Sequence, residues 1–529
     1  MAREKPSGFV PLTRATAAPV TLGDAAALLH AVDSVAIAKR ALASGTTLRL
    51  PDGREIRVRQ LVPAGHKVSL QDLDEGVPVV RYGQVIGFAA RPIAAGDHVH
   101  SHNLEARSFE REHVFCADYS PVELAPVAER RTFEGFRRAD GRVGTRNYVA
   151  VLASVNCSSS ATVAVVDQIA RSGVLADFPN VDGVIGFPHK GGCGAHIGSD
   201  GLHQLQRTLA GVVHHPNVAA YVILSLGCEV NQPADLIEHA DLAPDAPAVI
   251  TIQDDGGFAA TVARGVEAVV RLLPVADRAV RETVPASELM VALQCGGSDG
   301  WSGVTANPGL GNACDLLVRQ GGTVVLGETT EIYGAEHLLT RRARSPAVAQ
   351  RLVDAIRWWE EHAASFGASI DNNPTPGNKA GGLTTIFEKS LGAAAKAGST
   401  PLNQVVAYAE RVTERGFVHM DTPGYDPVSV TGQVAGGCNL VAFTTGRGSA
   451  FGFRPAPSIK IATNSELYAR QEPDMDIDAG IVLAGDDLDQ LGVQIFEELL
   501  AVASGKKTKS ELAGIGTEEF NPWLLGATL

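Results

Sequence analysis

The sequence predicts an α/β protein in which a small β-rich domain precedes two Rossmann-like α/β domains with parallel sheets. Five short apolar runs support this fold class, and each ends abruptly in glycine, cysteine, hydroxyl or charged residues. An apolar run of this length, bounded by turn residues, is typical of a strand buried on both faces, as in a parallel sheet covered by helices. The runs cover residues 148–152, 222–226, 289–293, 322–326 and 440–443.

The order of these patterns predicts the domain organisation. Between residues 26 and 105, short and partly alternating runs are separated by glycine turns, as expected of a compact β-rich unit. From about residue 131, strand-like runs alternate with helical segments, which predicts βαβ units. We expect a flexible N-terminus at 1–25, the β-rich domain at 26–105, a linker at 106–130, and α/β domains at 131–286 and 287–529.

Composition limits the class of partner. The 529 residues include 45 basic and 59 acidic ones, and the net charge of −14 argues against a nucleic-acid partner. The first residues lack the apolar core of a signal peptide, and no stretch approaches the roughly 18–20 apolar residues of a membrane span. We therefore expect a cytoplasmic protein with a small-molecule ligand and no membrane partner.

Four of the seven cysteines follow apolar runs in glycine- or serine-rich segments. The carboxyl ends of parallel strands meet at one edge of a sheet, so these positions favour a metal site or a redox-sensitive site. Packing as small apolar residues is the alternative for each of them. The four candidates are Cys157, Cys193, Cys228 and Cys295.

Two histidine segments of the β-rich domain are candidates for metal binding or proton transfer. His66 precedes Lys67 in a glycine turn, where it could hold a carboxylate, act as a base or bind a metal. An ordinary exposed turn histidine is the alternative. His100 and His102 form a His-x-His pair, which on a strand directs both imidazoles to one side, as metal sites use. A polar strand edge would explain this pair equally well.

Cationic and hydroxyl residues occupy several predicted strand-end loops. Thr444 and Thr445 precede Gly446-Arg447-Gly448, and such hydroxyls, free backbone N–H groups and a guanidinium can together hold a carboxylate. Lys379 and Lys460 lie in two further loops of this acidic chain, which favours a small polyoxygenated anion as ligand. Carboxylates that could bind a divalent metal or transfer protons occur at matching positions: Glu229, Asp254, Asp255, Asp299, Glu328 and Glu331.

The motifs taken together identify a resemblance. HExxH, GxSxG, Walker and dinucleotide-binding motifs are absent from the sequence, which argues against nucleotide and serine-hydrolase chemistry. From about residue 30 to 529, the chain resembles the altronate/galactarate dehydratase family of sugar-acid hydro-lyases, whose N-terminal unit is a SAF domain. The segments that carry the resemblance are residues 65–67, 81–83, 141–147, 227–229, 295–299, 303–308, 376–379, 443–448 and 460–463.

The resemblance implies a reaction and a set of roles. Water would leave from C2 and C3 of a 2,3-dihydroxy acid, and four segments (99–103, 333–339, 380–385 and 462–467) favour D-altronate, which would give 2-keto-3-deoxy-D-gluconate. The implied catalytic residues are His66, Lys67, Lys379 and Arg447. The implied substrate-binding residues are Arg146, Asn147, Ser298, Asn307, Thr444, Thr445 and Lys460. The candidate metal ligands are His66, His100, Cys157, Cys193, Cys228, Glu229, Cys295 and Asp299.

Several alternatives remain open from the sequence. Segments 132–136 and 504–507 favour galactarate as the substrate, and a related branch acts on sulfolactate with its SAF unit on a separate chain. The resemblance implies Fe²⁺, with Mn²⁺ as an alternative. An iron–sulfur cluster held by Cys157, Cys193 and either Cys228 or Cys295 is a rival Lewis acid. A sugar-acid sensor is the non-enzymatic alternative, and we expect a homodimer.

Overall fold

The computed structural model describes residues 18–107, 112–242 and 248–525. Within them the chain forms a β-rich N-terminal domain and two α/β domains with parallel sheets, which confirms the predicted fold class. Each of the five apolar runs overlaps a strand. Among the described residues, no helix is both long and apolar enough to cross a membrane.

Short strands build the N-terminal domain: β1 (Val20–Thr21), α1 (Leu22–Ala25), β2 (Ala26–Ala27), β3 (Val35–Ala38), β4 (Thr47–Arg49), β5 (Glu55–Arg57), β6 (Lys67–Ser69), β7 (Pro78–Arg81), β8 (Gln84–Ala89), β9 (His98–Val99) and β10 (Leu104–Glu105). They form three sheets with the orders β1-β4-β5, β2-β3-β6-β9 and β10-β8-β7. Residues 20–25, predicted to belong to a flexible terminus, form β1 and α1, because Leu22 and Ala25 are buried in the core of this domain.

The first α/β domain contains a small antiparallel sheet made of strands from its beginning and its end. These strands are β11 (Thr132–Arg137), β12 (Val143–Gly144) and β17 (Glu282–Pro285). Between these strands lie β13 (Tyr148–Ala153), α2 (Ser159–Ser172), β14 (Gly183–Phe187), α3 (Asp200–Val213), β15 (Val218–Ser225), α4 (Pro233–His239), β16 (Ala248–Thr251) and α5 (Phe258–Ala276). The order β14-β13-β15-β16 is parallel throughout. Val149 and Val151 pack towards α2 and α5, whereas Ala150 and Leu152 pack towards α3 and α4, so both faces of β13 are buried.

The second α/β domain has a parallel seven-stranded sheet. Its elements are β18 (Met290–Cys295), α6 (Ala306–Arg319), β19 (Thr323–Leu326), α7 (Glu336–Thr340), α8 (Pro346–Ser365), α9 (Pro376–Ala380), α10 (Ile386–Ala394), β20 (Leu402–Val406), β21 (Gly416–Met420), α11 (Asp426–Ala435), β22 (Leu440–Thr445), β23 (Ser458–Ala462), α12 (Ser465–Arg470), β24 (Ile477–Asp478), α13 (Ile481–Ala484), α14 (Leu488–Ala503) and α15 (Lys509–Leu512). The strand order is β20-β21-β19-β18-β22-β23-β24.

The two parallel sheets face each other across helices α3 and α11. The C-terminal turns of these helices touch so closely that a Cβ on Gly211 would lie 2.2 Å from the Ala435 carbonyl oxygen. The segments that lead into β13 and β22 are also joined, since Thr145 Oγ1 donates a hydrogen bond of 2.8 Å to the Asn439 carbonyl. The amino ends of β13 and β22 are therefore adjacent.

Part of the predicted linker, residues 108–111, lies outside the described residues. The rest runs along the second α/β domain. The backbone N–H groups of Cys116 and Ala125 donate to carbonyls of that domain, and Phe115 and Val122 pack against its core. The described part of the linker is thus fastened to the second α/β domain.

Candidate active site

Three loops at the carboxyl edge of the first sheet bring Cys157, Cys193 and Cys228 together. All three thiols are exposed to solvent. Burial and the neighbouring Cys193 and Cys228 raise the pKa of the Cys157 thiol, so the three side chains lie close to one another. Cys295 does not belong to this group, because it is buried at the end of β18 in the other sheet. We call the first three residues the cysteine cluster.

Backbone hydrogen bonds hold these loops in place without using the thiols. Asn156 N donates to the Gly191 carbonyl over 2.9 Å, and Asn231 N donates to the Gly192 carbonyl over 3.0 Å. The Asn231 side-chain amide also donates to the Ser154 carbonyl over 2.8 Å. The loop after β14 is thereby joined to the loops after β13 and β15.

Glu229, a predicted metal ligand, is engaged in supporting one of these loops. Its buried carboxylate accepts hydrogen bonds from Ser154 Oγ at 2.9 Å, Leu226 N at 3.2 Å and Gly227 N at 2.6 Å. These contacts fix the turn that presents Cys228. The structure therefore gives Glu229 a positioning role beside the cysteine cluster.

The second sheet carries a different, fully buried group at its carboxyl end. Cys295 ends β18, and Glu328 and Glu331 follow β19; one ligand atom from each lies within 4.8 Å of the others, so the group could hold a metal ion. Two lysines already pair with the carboxylates: Lys389 Nζ lies 2.6 Å from Glu331, and Lys396 Nζ lies 3.5 Å from Glu328. A metal here would compete with both ion pairs.

The buried acid–lysine network, formed by Glu328, Glu331, Asp426, Lys389 and Lys396, contains more carboxyl groups than lysines. Asp426, at the start of α11, adds a third carboxyl group, and burial and the neighbouring Glu331 raise its pKa to about 7. Burial raises the pKa of the Cys295 thiol to about 12, so the thiol is protonated at neutral pH. Three carboxyl groups face two lysines, and one bound proton balances the network without a metal.

A buried ion triad docks the N-terminal domain on the second α/β domain. Glu388 on α10 accepts from Lys67 Nζ at 2.9 Å and from Arg81 at 2.5 Å, and all three side chains are almost inaccessible to solvent. Lys67 Nζ also donates to the Gly382 carbonyl over 2.7 Å. Although burial opposes ionisation, the adjacent Lys67 and Arg81 lower the pKa of Glu388 to about 2. Lys67, a predicted catalytic residue, is thus engaged in docking.

The neighbouring histidines contact the loop that carries Lys379. His66 Nε2 lies 3.4 Å from the Ala380 carbonyl, and His100 Nε2 lies 2.9 Å from the Lys379 carbonyl. His66 Nδ1 is 3.0 Å from His98 Nε2, so both ring nitrogens of His66 have protein partners. Burial and nearby positive charge lower the pKa of His66 to about 4, which keeps its ring neutral at pH 7. This geometry indicates positioning of the loop by His66.

Two cationic side chains flank the loop that follows β18. The backbone N–H of Arg447 donates to the Gly297 carbonyl over 2.9 Å. The loop before Lys379 is joined to Ser298, whose carbonyl accepts from the Asn378 side-chain amide over 2.8 Å. Arg447 is exposed and Lys379 is half-buried, and neither side chain forms an ion pair within the described part of the chain. The buried Ser298 Oγ has no hydrogen-bond partner among those residues. We call Ser298, Lys379 and Arg447 the cationic loop site.

Other predicted site residues lie close by but are internally satisfied. Thr444 Oγ1 donates to Asn307 Oδ1 over 2.7 Å, and Thr445 Oγ1 accepts from Gly448 N over 3.0 Å. The buried Asp299 carboxylate accepts from Thr463, Ser302, Trp301 and Asn464. Lys460 lies within β23, not in a loop, and its Nζ donates to the Ser449 carbonyl. These residues shape the loops.

Arg146 and Asn147 lie away from the predicted site. They precede β13 and therefore belong to the amino edge of the sheet. Arg146 pairs with Glu511 at 2.7 Å, and Asn147 donates to the Asn180 and Ala276 carbonyls. Both side chains are buried in these contacts, because the residues tie the sheet to the C-terminal segment and to α5. The structure gives them a structural role.

Several buried charged residues near the site were not predicted from the sequence. Glu388 and Lys389 stand side by side within the otherwise apolar or small segment Ile386–Ala394, a pattern that could have indicated buried ion pairs. His98 extends the alternation of His100 and His102 by one more step. Lys396 and Asp426 carry no comparable signal, because their partners come from distant strand ends.

The fold and the strand-end clusters define a multidomain α/β enzyme, and comparisons give its class. A model of the altronate/galactarate dehydratase SAF domain matches residues 25–107. Models described as D-galactarate dehydratase/altronate hydrolase, second domain, and D-galactarate/altronate dehydratase, C-terminal, match residues 135–277 and 286–528. The chain belongs to the altronate/galactarate dehydratase family, which confirms the predicted resemblance.

Individual relatives cover most of the chain. Altronate dehydratase of Escherichia coli (strain K12) is 37% identical over 485 residues, which span 91% of this chain and 96% of the relative. Galactarate dehydratase (L-threo-forming) of the same organism is 39% identical over 507 residues, or 93% and 96%. The beta subunit of (2R)-sulfolactate sulfo-lyase of Chromohalobacter salexigens is 33% identical over 394 residues, or 74% and 96%.

Proposed function

We propose that this protein removes water from a sugar acid to give a 2-keto-3-deoxy acid. The cationic loop site is the observation that supports the proposal best. The loops that carry an exposed guanidinium, a half-buried ammonium and an unpartnered hydroxyl are joined at the carboxyl end of β18, where ligands of α/β sheets bind. Such groups suit a carboxylate with neighbouring hydroxyls.

The proposed roles follow from what dehydration requires. The proton next to a carboxylate is very weakly acidic, so negative charge must be stabilised as that proton leaves. Arg447 and Lys379 supply two positive charges for the carboxylate, and Ser298 supplies a hydroxyl for a substrate oxygen. His66 and His100 hold the Lys379 loop through its backbone carbonyls. Preorganised cations of this kind need no rearrangement when the charge develops.

The family resemblance implies iron, and two clusters of this chain could hold it. The cysteine cluster offers three exposed thiols, whereas the Cys295, Glu328 and Glu331 group offers mixed sulfur and oxygen donors in a closed site. The exposed cluster fits a metal that must meet substrate better, because lysines occupy the carboxylates of the buried group. A bound Fe²⁺ or Mn²⁺ would act as a Lewis acid towards the substrate's oxygens.

We propose D-altronate as the preferred substrate, on the strength of the four altronate-like sequence segments. Overall identity does not separate the two dehydratases, at 37% for the altronate enzyme and 39% for the galactarate enzyme. Galactarate carries a second carboxylate, which calls for an additional cationic group at the far end of the site. The sulfolactate relative is divided into subunits, and its alpha subunit matches only 53 residues here.

An anaerobic substrate comparison tests this proposal. The iron-supplied protein would be assayed with D-altronate, galactarate and sulfolactate, with 2-keto-3-deoxy acid and sulfite measured separately. We expect keto-deoxy acid formation from D-altronate, with kcat/KM at least tenfold above that for galactarate. Faster turnover of galactarate would reassign the substrate, and sulfite release would reassign the reaction.

A further inference from the structure

We propose that a cavity between the two α/β domains binds a small polyhydroxylated monocarboxylate, at a site separate from the proposed active site. The cavity has a volume of about 600 Å³. Its lining residues come from α3 and from the segments that precede β13, β15, β18, β21 and β22, so it lies at the amino edges of both parallel sheets. Cavities of roughly 300–1,000 Å³ at domain interfaces are typical ligand sites.

The cavity and the cationic loop site lie at opposite ends of β18. Met290, at the start of this strand, lines the cavity, whereas Ser298 lies beyond Cys295, at the end of the strand. The residue steps from 290 to 295 cover about 17 Å at roughly 3.3 Å each, which is more than the length of a six-carbon acid. One sugar acid therefore cannot occupy both places, and the cavity adds a second site to the proposed function.

Some charged residues of the cavity lining are already paired within the protein. Their pairs are Arg142 with Asp140 at 2.7 Å, Arg415 with Glu288 at 3.2 Å, and Glu414 with Arg344 at 2.6 Å. Each pair joins one positive and one negative side chain, so the pairs add no net charge. The charge that a ligand meets in the cavity therefore depends on the remaining side chains of the lining.

Arg207, Asp241 and Arg411 line the cavity without an ion-pair partner in the part of the chain that the structure describes. Arg207 on α3 is half-buried, and its Nε donates to the Tyr408 carbonyl over 2.8 Å. The neighbouring carboxylate of Glu410 pairs with another arginine at 2.7 Å. The side chains of Arg411 and Asp241 are exposed. Two positive charges and one negative charge leave a surplus of one positive charge, which one carboxylate balances.

The other polar groups of the lining suit hydroxyls. Burial and the neighbouring His203 and Arg207 lower the pKa of His239, so its ring is neutral at pH 7 and can both donate and accept a hydrogen bond. The carboxylate of Asp241 accepts hydrogen bonds from hydroxyl groups but repels a second anionic group on a ligand. The lining therefore favours a monocarboxylate with several hydroxyls over a dicarboxylate or inorganic phosphate.

Isothermal titration calorimetry of the full, iron-supplied chain tests the site, with D-gluconate as the probe. The Arg447→Ala background weakens binding at the proposed active site, and we expect about one equivalent of D-gluconate to bind there with unchanged affinity in the cavity. Adding Arg207→Gln and Arg411→Gln should raise Kd at least about tenfold, because each removes a charge-assisted contact with the carboxylate. The matched control Arg271→Gln, an exposed and unpaired arginine of α5 among the described residues, should leave Kd unchanged.

Circular dichroism would verify that each variant is folded, and Arg411→Gln alone, at an exposed position, should already raise Kd about threefold or more. Three results would overturn the proposal: no saturable binding of D-gluconate in the Arg447→Ala background, an unchanged Kd after both cavity arginines are replaced, or equal or tighter binding of galactarate or inorganic phosphate. The proposed function fails separately. Turnover of a sugar acid without binding in the cavity would contradict only the second site, whereas binding in the cavity without turnover of any sugar acid would contradict only dehydration.

Discussion

Single residues at the strand ends differ in whether their polar groups are already used. Glu229, Asp299 and Lys67 are buried and make several hydrogen bonds each, so they maintain the shape of the site. Arg447 and Lys379 have no ion-pair partner in the part of the chain that the structure describes. A charged side chain without an ion-pair partner in the protein is available to a substrate, whereas one that is already paired is not.

Replacing Arg447 tests this distinction. Arg447→Ala removes a charge-assisted contact worth about 1.5–3 kcal/mol, so we expect KM for the sugar acid to rise about 10- to 150-fold. Arg447→Lys should recover part of that loss. Steady-state kinetics would measure both variants beside Arg357→Ala, in which an exposed arginine of α8 is removed. An unchanged KM in Arg447→Ala would remove this residue from the substrate site.

The role of His66 can be decided by the size of its effect. A general base typically contributes 10²–10⁴-fold to a rate, whereas one neutral hydrogen bond is worth about 0.5–1.5 kcal/mol, or roughly 2- to 12-fold. Both ring nitrogens of His66 have protein partners, so we expect His66→Ala to lower kcat within the smaller range. His66→Gln should restore part of the rate. A loss above 100-fold in folded His66→Ala would identify a catalytic base.

At the scale of elements, the joint between the N-terminal domain and α10 depends on charge. Strands β6 and β7 contribute Lys67 and Arg81, and α10 contributes Glu388. A buried ion pair is weak evidence of net stability, but removing one member leaves uncompensated charge in a medium of low polarity. The docking of the SAF domain therefore depends on one carboxylate.

Glu388→Gln should destabilise this joint strongly. It leaves Lys67 and Arg81 buried beside a neutral amide, and we expect the free energy of unfolding to fall by about 3–5 kcal/mol. Urea denaturation followed by circular dichroism would measure it. The control is Glu497→Gln, because its partner Arg131 is exposed and such a pair is worth less than about 1 kcal/mol. Equal effects of the two substitutions would contradict the buried triad.

The same carboxylate predicts a pH dependence. The pKa of Glu388 is about 2 in the folded protein, below its usual 4.5, so folding favours its ionised form. The resulting stability is fully present above pH 4.5 and is lost as the pH falls from 4.5 through about 2. The difference in urea midpoint between the wild-type protein and Glu388→Gln should therefore shrink below pH 4.5. A difference that stays constant down to pH 3 would contradict the shifted pKa.

At the scale of the whole molecule, the fold was more predictable than the contacts of the site. Continuous apolar runs such as residues 148–152 are a local signal, because a strand buried on both faces has no polar side. The gathering of Cys157, Cys193 and Cys228 was partly predictable, since parallel strands end at one edge. Cys295, the alternative to Cys228 in the sequence analysis, lies instead at the end of the other parallel sheet beside Glu328 and Glu331, because the sequence does not show which sheet each strand joins.

The partners of buried charges were the least predictable feature. Glu388 and Lys67 are separated by 321 positions in the sequence, and the docking of two domains decides their contact. His66 was predicted from its turn, but its engagement with His98 and the Ala380 carbonyl depends on the same docking. Local sequence patterns indicate which loops form the site. Long-range packing decides which side chains in those loops have no partner within the protein.

Sugar-acid dehydration is tested most directly by one product analysis. The anaerobically iron-loaded protein would be incubated separately with D-altronate and with galactarate in heavy water, and the products would be followed by nuclear magnetic resonance. We predict conversion to a 2-keto-3-deoxy acid with one deuterium at C3, because the enol formed by water loss takes its proton from solvent. Unchanged D-altronate and galactarate in the presence of fully metal-loaded protein would contradict the proposed reaction.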